Sequence, residues 1–566
     1  MMGRVSFVRI GLAAGLAGFM AVTALGSAAA ATGPAAHARR TAASSMYGGV
    51  LTYVVSPNGP FIDNFNPWSP SNPAITGIFT EVYEPLFYYN QYTGQSIPKL
   101  ATSYSYANGH KTLIIHLRKG VRWSDGKPFT SADVAFTLHM LATTPSIDYN
   151  GLSSMIQSVA THGPLQVIVH LKSPNSLAWY YIGENTPIVA QHVYGKVKNP
   201  ATFKDAHPVT TGPFVLKSIS NSLIVFKRNP LYWDHGKPYV SAIQMPLYLD
   251  NNTAAMAMAG GHFDAATNFV PTIQTTLLNR NPQHFHYWFP PIGSVVLETN
   301  DAVYPTSLVS FRKALSLAID RQKVAMLGEF GYEPVANSVG LPSDRANQTY
   351  IDKAVLAHNP LSYNPNAARA ILRKAGFKWN KAGQLIDPKG KAVSLTIDVG
   401  SGITDWIADA GVVARNLQAI GINAQVKTPS GATVSSALAN GSFQLAMNWV
   451  NQAPAYIGYN TLLNGAFTAR VGQPALSNFE RWNNPQTNRL LTQYPKVFGV
   501  TQQKAVMGKL ESIFAANLPV IPLLDGVAWE EYNTSNFVGW PSAASPYASF
   551  AGAIDDMYIF ASVHKP

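Results

Sequence analysis

Two hydrophobic periods interleave along this chain. Alternating or continuous apolar runs bounded by turn residues predict strands at 49–56, 111–117, 165–171, 223–227, 392–399, 422–427, 443–450 and 520–524, and a turn followed by a strand at 210–216. Apolar residues at helical spacing predict helices at 78–87 (ended by Pro85), 131–141, 254–260, 311–324, 364–376, 405–420 and 507–516. Local punctuation supports several of these. Thr130 or Ser131 caps a helix that carries Asp133 in its first turn. Asn364 and Pro365 open another, and Gly376 closes it. Asp125-Gly126, between extended runs, predicts a tight turn. Strands and crossover-length helices mix throughout, which argues a multi-domain α/β protein without short-period repeats.

The first 31 residues are an address rather than a domain. Arg4 and Arg9 precede an uncharged apolar stretch from Ile10 to Ala31, which ends in Ser27, Ala28, Ala29, Ala30 and Ala31. That is the pattern of a secretory signal peptide; the alternative is an uncleaved anchor, since about 20 apolar residues span a bilayer. Residues 32–45 lack periodicity and read as a disordered leader. No later stretch reaches ~18 uncharged apolar residues, so the body is expected in the periplasm or secreted.

Composition narrows the chemistry. At ~150 residues per domain, 566 residues suggest three to four folding units. The chain has no cysteine, which excludes disulfides, thiolate metal sites, cysteine nucleophiles and a lipid-bearing cysteine. Charged residues are 12% of the chain against a usual ~25%. Few paired carboxylates mean little stability to lose in acid, so a flat unfolding profile between roughly pH 3 and 7 is expected. The net charge of +12 is scattered, and its densest cluster, Arg369, Arg373, Lys374, Lys378 and Lys381, reads as a solvated helix face. No nucleic-acid partner is expected.

Catalytic motifs do not emerge. His-Glu-x-x-His, the phosphate-binding glycine loops and Gly-x-Ser-x-Gly are absent. Ser310 to Lys313 matches Ser-x-x-Lys without the companion Ser-Asp-Asn and Lys-Thr-Gly. His284 and His286 would share a strand face, with no evident carboxylate partner. Neither metal nor cofactor is expected, and no enzyme activity.

An ordered series of segments carries a resemblance. Tyr83-Glu84-Pro85-Leu86-Phe87 is followed by Leu117 to Pro128 (LRKGVRWSDGKP), Ser131 to Val134, Thr211-Gly212-Pro213-Phe214 and Arg228 to Trp233 (RNPLYW). Gly260 to Asp264, Arg312 to Leu315, Tyr363 to Phe377, Ile420 to Ile422 and Leu518 to Leu523 continue it. In this order the segments resemble the signature of family-5 extracellular solute-binding proteins, the large receptors of peptide/nickel-type ABC importers. The resemblance implies a type II periplasmic-binding-protein fold in its three-domain form, with two lobes closing on ligand by a hinge. Domain I would comprise 46–88, 189–291 and 525–566; domain II, 89–188; domain III, 292–524. Most signature residues would be structural: Asp125-Gly126 as a turn, Asp133 at a helix start, Gly212-Pro213 in a loop.

The same resemblance implies a site. Peptide-binding members often carry Trp-x-x-Asp-Tyr-Pro, whose Asp pairs with the peptide α-ammonium. Here the stretch runs from Trp449 to Pro454, and Gln452 stands at the Asp position. With Asn448, Trp449 and Asn451, Gln452 gives a neutral polar and aromatic lining suited to sugars or amide backbones. Phe65, Asn66 and Trp68, on the loop after the first strand, are expected to face it. The implied function is capture of oligopeptides or dipeptides and delivery to an ABC permease by a monomeric receptor. An oligosaccharide or other neutral solute is the alternative ligand, and a secreted hydrolase the alternative class.

Overall fold

Three sheets, each with its own reason for forming, organise the computed structural model, which describes residues 46–55, 60–69, 82–451, 454–549 and 554–566. The signal peptide and leader lie outside the described residues, as do Gln452 and the 78–81 part of one expected helix.

The first sheet has seven strands. Val50–Val54 lies at its centre, parallel to Ala242–Pro246 on one side and to Ala265–Ala266 on the other. Leu223–Arg228 and Phe214–Ile219 extend one edge antiparallel; Glu531–Asn533 and Phe285–Tyr287 extend the other. A four-stranded antiparallel sheet follows the order Ala101–Ala107, Thr112–Leu117, Gln166–Leu171, Ile156–Thr161. The alternation read in 165–171 becomes buried Val167, Val169 and Leu171 facing a core shared with the first sheet. The third sheet has five strands, ordered Asn423–Lys427, Ser394–Asp398, Leu445–Asn451, Pro291–Thr299, Val520–Val527. Pro291–Thr299 and Val520–Val527 are buried along nearly their whole length, because helices cover both sides; Val309–Ala318 and Thr404–Ala419 pack on one face, Ala455–Leu463 and Val500–Asn517 on the other.

Several local expectations reappear with their chemistry. Thr130 Oγ1 accepts from Ala132 N at 3.3 Å, and Asp133 Oδ2 accepts from Thr130 N at 2.9 Å, a reciprocal cap. Asp133 Oδ1 also accepts from Gln191 N at 3.0 Å, tying this helix to the next segment of the lobe. Gly126 has φ +88°, and Trp123 N closes the turn on Lys127 O at 2.8 Å. Asn364 caps its helix by accepting from Ala367 N at 2.9 Å.

Two expected helices differ. Residues 82–86 are not helical, because tertiary partners take their backbone groups: Gly212 N donates to Val82 O, Ile188 N to Glu84 O, and Ala101 N to Leu86 O. The run 311–324 is two helices, Val309–Ala318 and Arg321–Leu327, broken at extended Ile319. Asp320 caps the second helix, and buried Arg321 reaches back to Ser316 O at 3.0 Å and across to Pro522 O at 2.7 Å. Conversely, the last strand runs on to Val527, since Asp525 and Gly526 pair with Ser294 and Gly293. Among the described residues no helix is long and apolar enough to cross a membrane.

Candidate functional site

Two strands carry the chain between its two largest cores. Ile292 and Ala528 belong to the core built on the first two sheets. Val295, Leu297, Ile521, Leu523 and Leu524 belong to the core of the five-stranded sheet. The antiparallel pair Pro291–Thr299 and Val520–Val527 is therefore a joint between two lobes. Trp449, on the adjoining strand, is half-buried and packs against both cores. Its backbone stands opposite Val295, and Asn451 stands opposite Gly293. Alternation along the strand puts Trp449 and Asn451 on one face and Asn448 on the other.

Further contacts span the cleft. Asn251 Nδ2 donates to Asp405 Oδ1 at 3.2 Å, and Ala346 N donates to Tyr92 O at 3.2 Å. Ser176 N donates to Pro495 O at 2.6 Å, and His110 stacks on Phe498 with ring centroids 3.8 Å apart. Phe269 and Phe289 meet Phe330 and Tyr332 at 6.0 and 5.6 Å. The lobes are closed on each other. These bridging residues come from loops far apart in the chain, and nothing in their local pattern announced them.

The electrostatics are those of buried acids. Burial pushes Glu329 up to about 8 and Asp405 to about 6, and raises Glu333 and Asp409 well above the carboxylate range; after burial, the charge of Asp405 raises Glu329, and that of Glu329 raises Glu333 and Asp409. Burial also holds Asp525, beside the joint, at about 6, while Ser343 N donates to it at 3.0 Å. At neutral pH Glu329, Glu333 and Asp409 hold protons and act as neutral hydrogen-bonding acids, while Asp405 and Asp525 titrate just below it. Among the described residues no cluster of His, Asp and Glu is arranged to hold a metal. His284 approaches Thr534 Oγ1 at 3.3 Å, and His286 lies against the Tyr532 ring.

The expected site residues divide. Trp449 and Asn451 lie together at the joint. Asn448 turns away and donates to Glu298 Oε1 at 2.8 Å. Phe65 is buried edge-on to Phe226. Asn66 is used by its own lobe: Nδ2 donates to Pro200 O and Phe203 O, and Oδ1 accepts from Trp68 N and Tyr194. Trp68 is buried in the same core. These three loop residues thus hold the lobe together, because a turn-rich loop with few regular hydrogen bonds is pinned by its aromatics and amides. Gln452 lies outside the described residues.

Two lobes, each with its own sheet and core, joined by a strand pair and shut over an aromatic and neutral-polar joint, define a hinged binding protein. The middle-region model of the bacterial extracellular solute-binding proteins, family 5, matches residues 95–467. The chain belongs to that family. It is 27% identical over 345 residues to the nickel-binding periplasmic protein of Escherichia coli K12, spanning 59% of this chain and 63% of that one. It is 25% identical over 433 residues to the glutathione-binding protein GsiB of Escherichia coli O6:K15:H31, spanning 75% and 80%. Among solved structures, the periplasmic oligopeptide-binding protein of a Thermotoga maritima oligopeptide ABC transporter, bound to mannohexaose, superimposes with TM-score 0.84 at 26% identity, covering 91% of this chain and 98% of that one. The fold expected from the sequence, a two-lobed periplasmic-binding-protein fold, is the one observed.

Proposed function

We propose that this protein captures oligopeptides outside the cytoplasmic membrane and delivers them to the permease of an ABC importer, as a monomeric receptor without catalytic activity. The observation that carries the reading is the joint: two cores linked by one antiparallel strand pair, with Trp449 packed against both. Such a joint lets lobes rotate as bodies, and a ligand held between them shifts the balance toward closure. The Thermotoga maritima neighbour, an oligopeptide-binding protein by name, supports the ligand class. An exported receptor released from its signal peptide fits the N-terminal pattern, and without cysteine no acyl chain retains it.

One observation favours a second ligand. That neighbour holds mannohexaose, and this chain has a neutral Gln452 after a cleft-facing Trp449. An oligosaccharide is therefore the alternative solute in the same receptor role. Gln452→Asp separates the two by sign. A peptide with a free α-amine gains a charge-assisted hydrogen bond, worth about 1 kcal/mol over the neutral one, so Kd falls roughly fivefold. A neutral sugar meets a carboxylate stripped of water and binds more weakly by about 1–3 kcal/mol. Calorimetric titration with short peptides and manno-oligosaccharides reads the sign. A change within ~0.5 kcal/mol for both places Gln452 outside the site.

A further inference from the structure

Gly293 and Gly526 face each other in register on the two joint strands. Neither has the positive φ that makes glycine a backbone necessity. What they lack is a side chain, and the reason lies above them. A Cβ on Gly293 would stand 2.3 Å from Trp449 Cζ2, and a Cβ on Gly526 would stand 2.3 Å from Trp449 Cζ3. From its place opposite Val295, the Trp449 indole runs diagonally over Gly293 and on to Gly526. It thus crosses the joint strands, whose neighbours are spaced ~4.8 Å apart. The ring lies flat because both positions beneath it are bare backbone.

We propose that Gly293 and Gly526 are positioning residues of the binding site: together they form the slot that holds the Trp449 ring flat across the joint between the lobes. One ring face rests on the glycine backbone, and the opposite face is presented as a platform for a flat ligand group, an aromatic or apolar peptide side chain or a sugar ring. The ring sits where the chain passes from one lobe to the other, between Ile292 and Ala528 on one side and Val295 and Leu524 on the other. Ligand stacked on it bears on the joint itself, so occupancy and closure are coupled through one side chain. This rests on the reading of Trp449 as a ligand contact.

A methyl group at either glycine has no room without lifting a rigid ring. Alanine in a strand otherwise costs nothing relative to glycine and commonly stabilises, so a loss is diagnostic. The test is a double-mutant cycle on the full exported chain, with Gly526→Ala, Trp449→Ala and both together, and Gly293→Ala as the parallel case. Melting temperature is read without ligand; affinity is read with mannohexaose and with Ala-Ala-Ala as probes. Gly526→Ala is expected to lower the melting temperature when Trp449 is present and to change it little when Trp449 is already alanine. For the probe that binds, Gly526→Ala and Trp449→Ala each weaken binding at least about tenfold, and the double variant is no weaker than Trp449→Ala. Additive melting losses overturn the slot. A non-additive melting cycle, with Trp449→Ala binding as tightly as the parent or with neither probe bound by the parent, leaves the slot standing and refutes the platform. Affinity lost with Trp449→Ala but unchanged with Gly526→Ala overturns the positioning role alone.

Discussion

The melting temperature falls as pH rises from about 5 to about 8, because buried carboxyl groups must ionise or stay protonated at a cost. Burial pushes Glu184, Glu511 and Asp556 up to about 7 and Glu329 up to about 8. Glu530 and Glu531, wholly buried side by side, are raised well above the usual range. In the unfolded chain such groups titrate near ~4. Below that pH both states are protonated, and these groups cost nothing. Above it the unfolded chain releases its protons while the folded chain keeps them, so stability declines until the folded groups titrate, at pH 7 to 8 for those named. A fully rigid site would lose up to ~4 kcal/mol for a three-unit shift; rearrangement and water entry relieve part of that, leaving a total loss on the order of several kcal/mol. Differential scanning calorimetry across this range at constant ionic strength measures it. A melting temperature that rises from about pH 5 to about pH 8 contradicts the account. The low charge density of the sequence predicted a flat profile; the folded arrangement gives it a slope, since several carboxylates, Glu184, Glu530 and Glu531 among them, are placed inside without an opposing cation.

Arg312→Met destabilises the five-stranded lobe by about 3–5 kcal/mol, because three buried carbonyls lose their donor at about 1–3 kcal/mol each. Arg312 is 1% exposed. Its Nη1 donates to Thr306 O at 2.7 Å, its Nε to Leu518 O at 2.8 Å and its Nη2 to Asn517 O at 3.0 Å, while Asp301 Oδ1 lies 3.2 Å from Nη1. The guanidinium thus satisfies the C-terminal carbonyls of the helix Val500–Asn517 and lies against Asp301, whose carboxyl burial holds up at about 8 against the lowering pull of the arginine. Methionine fills the stem but leaves three carbonyls and a carboxyl group without their donor. Lysine does not rescue, because one ammonium cannot reproduce the planar fork. Urea unfolding of the variant, with unchanged slope and a lowered midpoint, is the expected result. A difference below about 1 kcal/mol would show that the network is dispensable.

The strands of the fold were largely legible because their apolar faces are buried in place. Val167, Val169 and Leu171 alternate in the sequence and alternate in the sheet. Caps were legible where a single side chain decides them, as at Thr130 and Asn364. Legibility ended where distant backbone took over: 82–86 carries a helical period but pairs with residues around 100, 188 and 212. The 311–324 run breaks at Ile319, and Arg321 just beyond it finds its partners at Ser316 and Pro522. The residues proposed for the site divided in the same way. Trp449 and Asn451 were read from a local motif on one strand. Phe65 and Asn66 looked like site residues because aromatics and amides in a turn-rich loop serve packing and recognition equally well; only their partners distinguish the two. Gly293 and Gly526 carried no signal, since a glycine beneath a distant indole reads as any other strand glycine.

The central claim is that two lobes close on a solute at the joint. Small-angle X-ray scattering tests it on protein stripped of ligand by unfolding and refolding, then titrated with short peptides and with manno-oligosaccharides. The account predicts that one class reduces the radius of gyration, saturably and at the concentrations where calorimetry shows binding. A radius of gyration unchanged by both classes, while calorimetry shows either one bound, contradicts it.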